Sequence, residues 1–200
     1  MVNMNADLRS QIITMHNTKR NQIALGEMSR YRPAERMATV RWSPDLATLA
    51  EYNVKQCKLA EDPCHSTSKF KYSGQNLRLI QYSGLRTSRT NSELISTVIN
   101  GWWNQHQHAN QIVINSYPAS WGGNDFTTMV QEYTWAVGCA IARYQSPDGT
   151  NNFLMNCYYA HMNRVNKPVY KRGTTASGCK TGKNVNYPGL CKVAEVYDLS

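Results

Sequence analysis

Two runs rich in aromatic and β-branched residues, Tyr133–Tyr144 and Asn152–Tyr159, flank the segment Ser146-Pro147-Asp148-Gly149-Thr150. Pro presets one backbone angle, Asp bonds its own backbone two residues on, and Gly tolerates conformations that other residues avoid, so such a segment reverses the chain. Two strands joined by a tight reversal pair antiparallel. Cys139 and Cys157 lie at comparable distances from that turn, and neighbouring strands bring their β-carbons within disulfide reach. A bridge between Cys139 and Cys157 is expected. Just upstream, the stretch from Trp121 to Val130 adds a short helix, so this part of the chain is the most determined.

The six cysteines divide by proximity into 57/64, 139/157 and 179/191, although six cysteines allow about fifteen connectivities. Zinc ligation competes with disulfides, yet no C-x-x-C occurs and the spacings are unlike those of a zinc ribbon or knuckle. Disulfides imply an oxidising compartment, hence secretion to the extracellular space. The start, Met1–Asn5, lacks an apolar run, which reads as a mature chain whose signal peptide was removed and an initiator Met added. Two hundred residues suit one domain with one core. Apolar runs are short, far below the ~20 residues of a membrane span. The net charge of +9 favours acidic partners such as anionic lipid or sulfated glycans. Nucleic acid is an acidic surface too, but the basic residues are dispersed and no nucleic-acid partner is expected.

From Asp7 to about Leu25, Leu8, Ile12, Met15, Lys19 and Ile23 recur three or four apart, with Asn5 or Asp7 as cap and Gly26 as stop. The spacing predicts an amphipathic helix. His16 lies near its inner face, and a buried ring bonded to backbone is a plainer reading there than a site histidine. Met37–Trp42 alternates as a strand. Ser43-Pro44 sets a capping hydroxyl before a Pro at the first helical position, and Leu46, Leu49, Ala50, Asn53, Val54 and Cys57 form the inner stripe of a second helix. Gln75–Ile80 alternates as a strand, and Tyr82–Asn91 reads as a polar, mobile loop. Ser92 then caps a third helix with Leu94, Ile95, Val98, Ile99 and Trp102 inward. His106 and His108, two apart at its end, point about 200° from each other and cannot share an ion. Residues 170–200 form a loop-rich tail that Cys179 and Cys191 staple, with Val193–Leu199 returning to the body.

Phe126-Thr127-Thr128-Met129-Val130, followed by Ala136-Val137-Gly138-Cys139-Ala140, resembles the first signature of the superfamily of cysteine-rich secretory, antigen 5 and pathogenesis-related proteins. Leu154–Tyr159 resembles the second. His16-Asn17 with Arg20, Trp42-Ser43, Gly74-Gln75-Asn76-Leu77, Trp102-Trp103 and Pro168-Val169-Tyr170 follow in the order seen in insect antigen 5 proteins. The resemblance implies an α+β fold, a three-layer αβα sandwich spanning 1–200 with 170–200 as a tail packed on it. It also implies a cleft where many members place two histidines and two glutamates able to bind a divalent metal. Here those positions fall at Glu61, Gln75, Gln105 and Asp125, and none is retained. His65 stands near the first but beyond Cys64. No transition metal and no cofactor is therefore expected. Glu61 and Asp125 leave a hard cation or a carboxylate acid–base pair as alternatives to a merely wet groove. In similar insect proteins the cysteines at 57 and 64 bond to an N-terminal extension. Without that extension, a Cys57–Cys64 bridge is expected.

What the resemblance implies for function is a secreted, non-enzymatic binding protein, such as those of fly saliva and insect venom, acting on a host plasma or immune protein. Tyr82, Arg86, Arg89, Lys171, Arg172, Lys180 and Lys183 are the candidate surface contacts, set against the ordinary role of scattered Lys and Arg as solvated surface. A carrier of a sterol, fatty acid or eicosanoid is the alternative, and a metal-dependent hydrolase or redox protein the second. No G-x-S-x-G or H-E-x-x-H motif supplies a nucleophile or metal site. Arg172-Gly173 is followed by Thr174, so no Arg-Gly-Asp is present.

Overall fold

The computed structural model describes residues 1–64 and 66–197. In chain order it forms α1 (Ala6–Leu25), β1 (Arg41–Trp42), α2 (Pro44–Val54), β2 (Gly74–Tyr82), α3 (Asn91–Asn104), α4 (Gln111–Asn115), α5 (Asn124–Val130), β3 (Ala136–Gln145) and β4 (Asn151–Tyr159). The sheet order is β1-β3-β4-β2. β1 runs parallel to β3, and the other neighbours are antiparallel. Gly149 at φ 84° and the Asp148 carboxylate, which accepts from the Thr150 amide at 3.0 Å, close the hairpin turn. That register sets Cys139 directly opposite Cys157, with α-carbons 4.1 Å apart, and they are bridged as expected.

Alternation along β3 and β4 divides the core between the two faces of the sheet. Val137, Cys139, Ile141, Phe153, Met155, Cys157 and Tyr159 pack with the apolar residues of α1, α3 and α5. Ala136, Ala140, Ala142, Leu154 and Tyr158 pack with Leu46, Ala50 and Val54 of α2. The result is the three-layer αβα sandwich. The small side chains on the second face have a physical cause at Gly138. A β-carbon there would stand 2.2 Å from the Ala47 nitrogen and 2.5 Å from the Ser43 carbonyl oxygen, so α2 rests directly on strand backbone.

Helix ends follow side-chain capping. Asn5 accepts from the Leu8 amide at 3.0 Å, and Gly26 closes α1 at φ 75°. Ser43 caps α2. For α3 the cap is Thr90 rather than Ser92, because Thr90 and Glu93 form a reciprocal capping box. The strand expected over Met37–Trp42 shrinks to Arg41–Trp42. The preceding residues are buried, but side chains and loops take their backbone groups: Asn17 Oδ1 accepts from the Val40 amide at 2.8 Å, and the buried Arg20 guanidinium donates to the Ala38 carbonyl at 2.8 Å.

The tail is stapled by Cys179–Cys191. It is held to the body by the Cys191 amide, which donates to the Met37 carbonyl at 2.9 Å. Glu195 returns to Arg36 and to the amides of Lys180 and Thr181. Leu199 lies outside the described residues. The expected Cys57–Cys64 bridge is absent, and both residues are exposed free thiols. α2 stops at Val54, and Cys57 turns aside at φ 53°. The intervening loop is then drawn inward rather than closed on itself, since Asn53 Nδ2 donates to the Ala60 carbonyl and to Asp62 Oδ1, each at 3.0 Å. Among the described residues no helix is long and apolar enough to cross a membrane.

Candidate functional site

The four cleft positions arrive from four elements: Glu61 from the loop after α2, Gln75 from the start of β2, Gln105 from the single turn after α3, and Asp125 from the first turn of α5. They form two separate sets rather than one ring of donors. Gln105 Nε2 donates to Asp125 Oδ2 at 2.6 Å, while its Oε1 accepts from the amides of Asp125 at 3.0 Å and Phe126 at 3.4 Å. The N-cap of α5 is Gly123, which offers no side chain, so Gln105 supplies the missing cap from another element. Burial pushes the Asp125 carboxyl up to about 6 against the opposing pull of Gln105 and Arg78, with Glu61 adding a smaller upward push.

Gln75 turns the other way. Its Oε1 accepts from the Asp62 amide at 3.1 Å, and its Nε2 donates to Asn156 Oδ1 at 3.3 Å. Glu61 is exposed, and the carboxylate turned into the molecule is that of its neighbour Asp62, which accepts from Asn53 and from the Tyr158 hydroxyl. A groove of about 190 Å³ remains, lined in part by Glu61, Gln75, Tyr117, Asn124 and Met162. Gln105 and Asp125 are not among its lining residues.

A buried polar chain lies behind Asp125. Asn76 Nδ2 donates to the Asp125 carbonyl at 3.0 Å and to the Tyr159 hydroxyl at 3.2 Å. That hydroxyl meets His16 Nε2 at 2.9 Å, and His16 Nδ1 faces the Ile12 carbonyl at 2.8 Å. A carbonyl only accepts, so the proton sits on Nδ1 and Nε2 accepts from Tyr159. Burial pushes the ring down to about 4, the bond to Ile12 opposing and Arg20 and Lys19 assisting. His16 is thus a neutral core histidine bonded to backbone.

These donors do not suit a metal. The amide oxygens of Gln75 and Gln105 already accept from backbone N–H groups, and their NH₂ groups face oxygens. Among the described residues no group of three or more His, Cys, Asp or Glu converges to hold an ion. His65 lies outside them. His106 packs on Trp103 and Phe126, whereas His108 is exposed, so the two do not share a site.

On the surface, Tyr82, Arg86 and Arg89 are brought together by a residue that the sequence did not single out. Arg143 of β3 donates to the Tyr82 hydroxyl, to the Arg86 carbonyl, to the Arg89 carbonyl at 3.0 Å and to Asn91 Oδ1 at 2.9 Å. The Arg86 guanidinium returns a bond to the Arg143 carbonyl at 2.8 Å, and the guanidinium groups of Arg89 and Arg143 both stand 5.9 Å from the Tyr82 ring centre. These bonds tie the loop expected to be mobile to β3. Lys171, Arg172, Lys180 and Lys183 lie apart from it in the tail. Lys171 pairs with Glu35 at 2.8 Å, while the other three are exposed.

A sequence profile of the cysteine-rich secretory protein family matches residues 15–159. Venom allergen-1 of the mosquito Aedes albopictus is 33% identical over 197 residues, covering 97% of this chain and 76% of the relative. An antigen 5 like allergen of the midge Culicoides nubeculosus is 40% identical over 144 residues, covering 70% of this chain and 64% of the relative. Among solved structures, the crystal structure of NaASP2 with Zn²⁺ superposes with a TM-score of 0.76 at 19% identity, covering 94% of this chain and 96% of that one. The last likeness concerns the fold alone.

Proposed function

Since the chain belongs to the cysteine-rich secretory protein family, we propose that it is a secreted, non-enzymatic protein of insect saliva or venom that binds a host protein or mediator and modulates haemostasis or immunity. The names of its mosquito and midge relatives, venom allergen-1 and antigen 5 like allergen, support delivery into a host. Within the cleft, Gln75, Gln105 and Asp125 are occupied with one another, with neighbouring side chains and with backbone, and Glu61 is left as the exposed carboxylate.

The observation that carries the reading is the cluster of Arg86, Arg89 and Arg143 around Tyr82. Among the described residues none of the three guanidinium groups has a carboxylate partner, while Arg36, Lys55, Lys69 and Lys171 each do. With Arg143 committed to holding the loop, Arg86 and Arg89 are the two that could meet an acidic protein surface with charge-assisted, planar hydrogen bonds. The test is capture from host plasma, read by mass spectrometry, with the wild type and an Arg86→Ala/Arg89→Ala variant. A partner captured by the wild type, at least about tenfold weaker for the variant and weakened by salt, supports the reading. Equal capture refutes this surface, and a stoichiometric lipid extracted from the insect-derived protein would favour a carrier instead.

A further inference from the structure

Next to the cleft groove, with which it shares no lining residue, the end of β4 meets the segment leading into β2, and a pocket of about 120 Å³ opens between them. Phe70, Tyr72 and Trp135 line it, with the Phe70 and Trp135 rings 5.4 Å apart. His161 closes it. That residue is only 2% exposed and is packed between the Tyr133 and Tyr72 rings at 5.8 and 6.2 Å. Its backbone is fixed as well, because its carbonyl accepts from Thr134 Oγ1 at 3.0 Å and the next amide donates to the Tyr72 carbonyl at 2.7 Å.

The protonation of the ring follows from geometry. Nδ1 faces the Met162 carbonyl at 2.8 Å, and a carbonyl can only accept, so Nδ1 carries the hydrogen. Nε2 then presents a lone pair, and among the described residues it has no hydrogen-bond partner although it is buried. Burial, with a lesser contribution from Arg164, pushes the ring below its ordinary pKa against the bond to Met162, in keeping with a neutral imidazole. A buried acceptor normally finds a donor. A water molecule would need about three polar partners, which aromatic walls supply poorly.

Size and charge narrow what fills the gap. Apolar cavities of about 150 Å³ accept one benzene ring. Cations stand at and near the opening: Lys69 and Lys71 line it together with Ser68, Lys69 being shared with Asp45 at 3.1 Å, and the Arg164 guanidinium lies 4.7 Å over the ring of Tyr72, itself a lining residue. We propose that this pocket binds a small molecule built on one aromatic ring, with a hydroxyl or N–H donor directed at His161 Nε2 and an acidic group at Lys71 and Arg164. The site is separate from the cleft and from the arginine cluster, so it stands or falls independently of the reading above.

The test uses 4-hydroxyphenylacetate and its donor-free analogue 4-methylphenylacetate in calorimetric titrations. The hydroxyl compound is expected to bind at least about threefold tighter, the yield of one net hydrogen bond. Lys71→Ala should weaken both compounds alike, and His161→Phe should abolish the difference between them. In the ¹⁵N spectrum of histidine-labelled wild type, the Nε2 resonance of His161 should move with the hydroxyl compound alone, a readout that needs no variant to fold. Equal affinities, no binding of either compound in the millimolar range, or binding without movement of that resonance would overturn the proposal.

Discussion

Gly138→Ala tests the claim that α2 sits directly on strand backbone. Three backbone atoms would stand within contact of the added carbon: the Ala47 nitrogen at 2.2 Å, the Ser43 oxygen at 2.5 Å and the Leu46 carbonyl carbon at 2.6 Å. None is the end of a flexible side chain, so relief requires the helix to move outward by roughly 1 Å in a close-packed interior. α2 buries Leu46, Ala50 and Val54 completely against the sheet, and moving it loosens all three contacts together. Overpacking ordinarily costs about 1–3 kcal/mol, and a clash with three backbone atoms of one helical turn belongs at the upper end, about 3 kcal/mol. In a chain of this size each kcal/mol lowers the melting temperature by about 2–4 °C, so a loss of roughly 6–12 °C is expected. Thermal melts by circular dichroism, with disulfides intact, measure it. Gly122→Ala is the control, because nothing lies within 4 Å of its added carbon. If both variants melt within about 2 °C of the parent, α2 does not rest on the strand as described.

Asp125→Asn probes the raised carboxyl. With a folded value near 6 and an unfolded value near 3.8, the native state holds its proton more tightly, so this residue's contribution to stability falls as pH rises between those values and stays low above them. The variant should match the parent near pH 4 and exceed it by up to about 3 kcal/mol near pH 8 in urea titrations; an equal pH profile would remove the basis for the shift. Gln105→Ala deprives the start of α5 of its cap, with an expected loss of about 1–2 kcal/mol in the same titrations; Gln105→Glu keeps the acceptor but sets a carboxylate where Nε2 donated to Asp125, so it should recover the loss only at acidic pH, where the two carboxyls share a proton. Thiol titration of the denatured, unreduced chain should find two reactive groups, at Cys57 and Cys64, and none would restore the bridge expected between them.

Contrasts between particular residues show what the sequence could convey. The hairpin was legible because its causes are local: Pro147, Asp148 and Gly149 act on their own neighbours, and the cysteine register follows from the turn. The strand before Trp42 was not, because it fails for a distant reason, the claim of Asn17 and Arg20 on its backbone groups. Carrying family positions across marked Glu61, yet the inward carboxylate is Asp62, one residue on. A loop has no period that tells an inward side chain from an outward one, and the groups that settle it, Asn53, Gln75 and Tyr158, lie 9, 13 and 96 residues away. Arg143 escaped notice for a related reason. It sits within a strand whose alternation is apolar, while its partners Tyr82, Arg89 and Asn91 are 61, 54 and 52 residues distant. Its guanidinium is also what draws Tyr82, Arg86 and Arg89 into one surface. The recognition surface proposed above would thus depend less on the residues that a partner would touch than on the strand residue that holds their carbonyls and the Tyr82 hydroxyl in place. Arg143→Ala should therefore impair partner capture at least as much as Arg86→Ala, and should raise amide hydrogen exchange across residues 83–90. Neither effect would be seen if the loop kept its shape without that guanidinium.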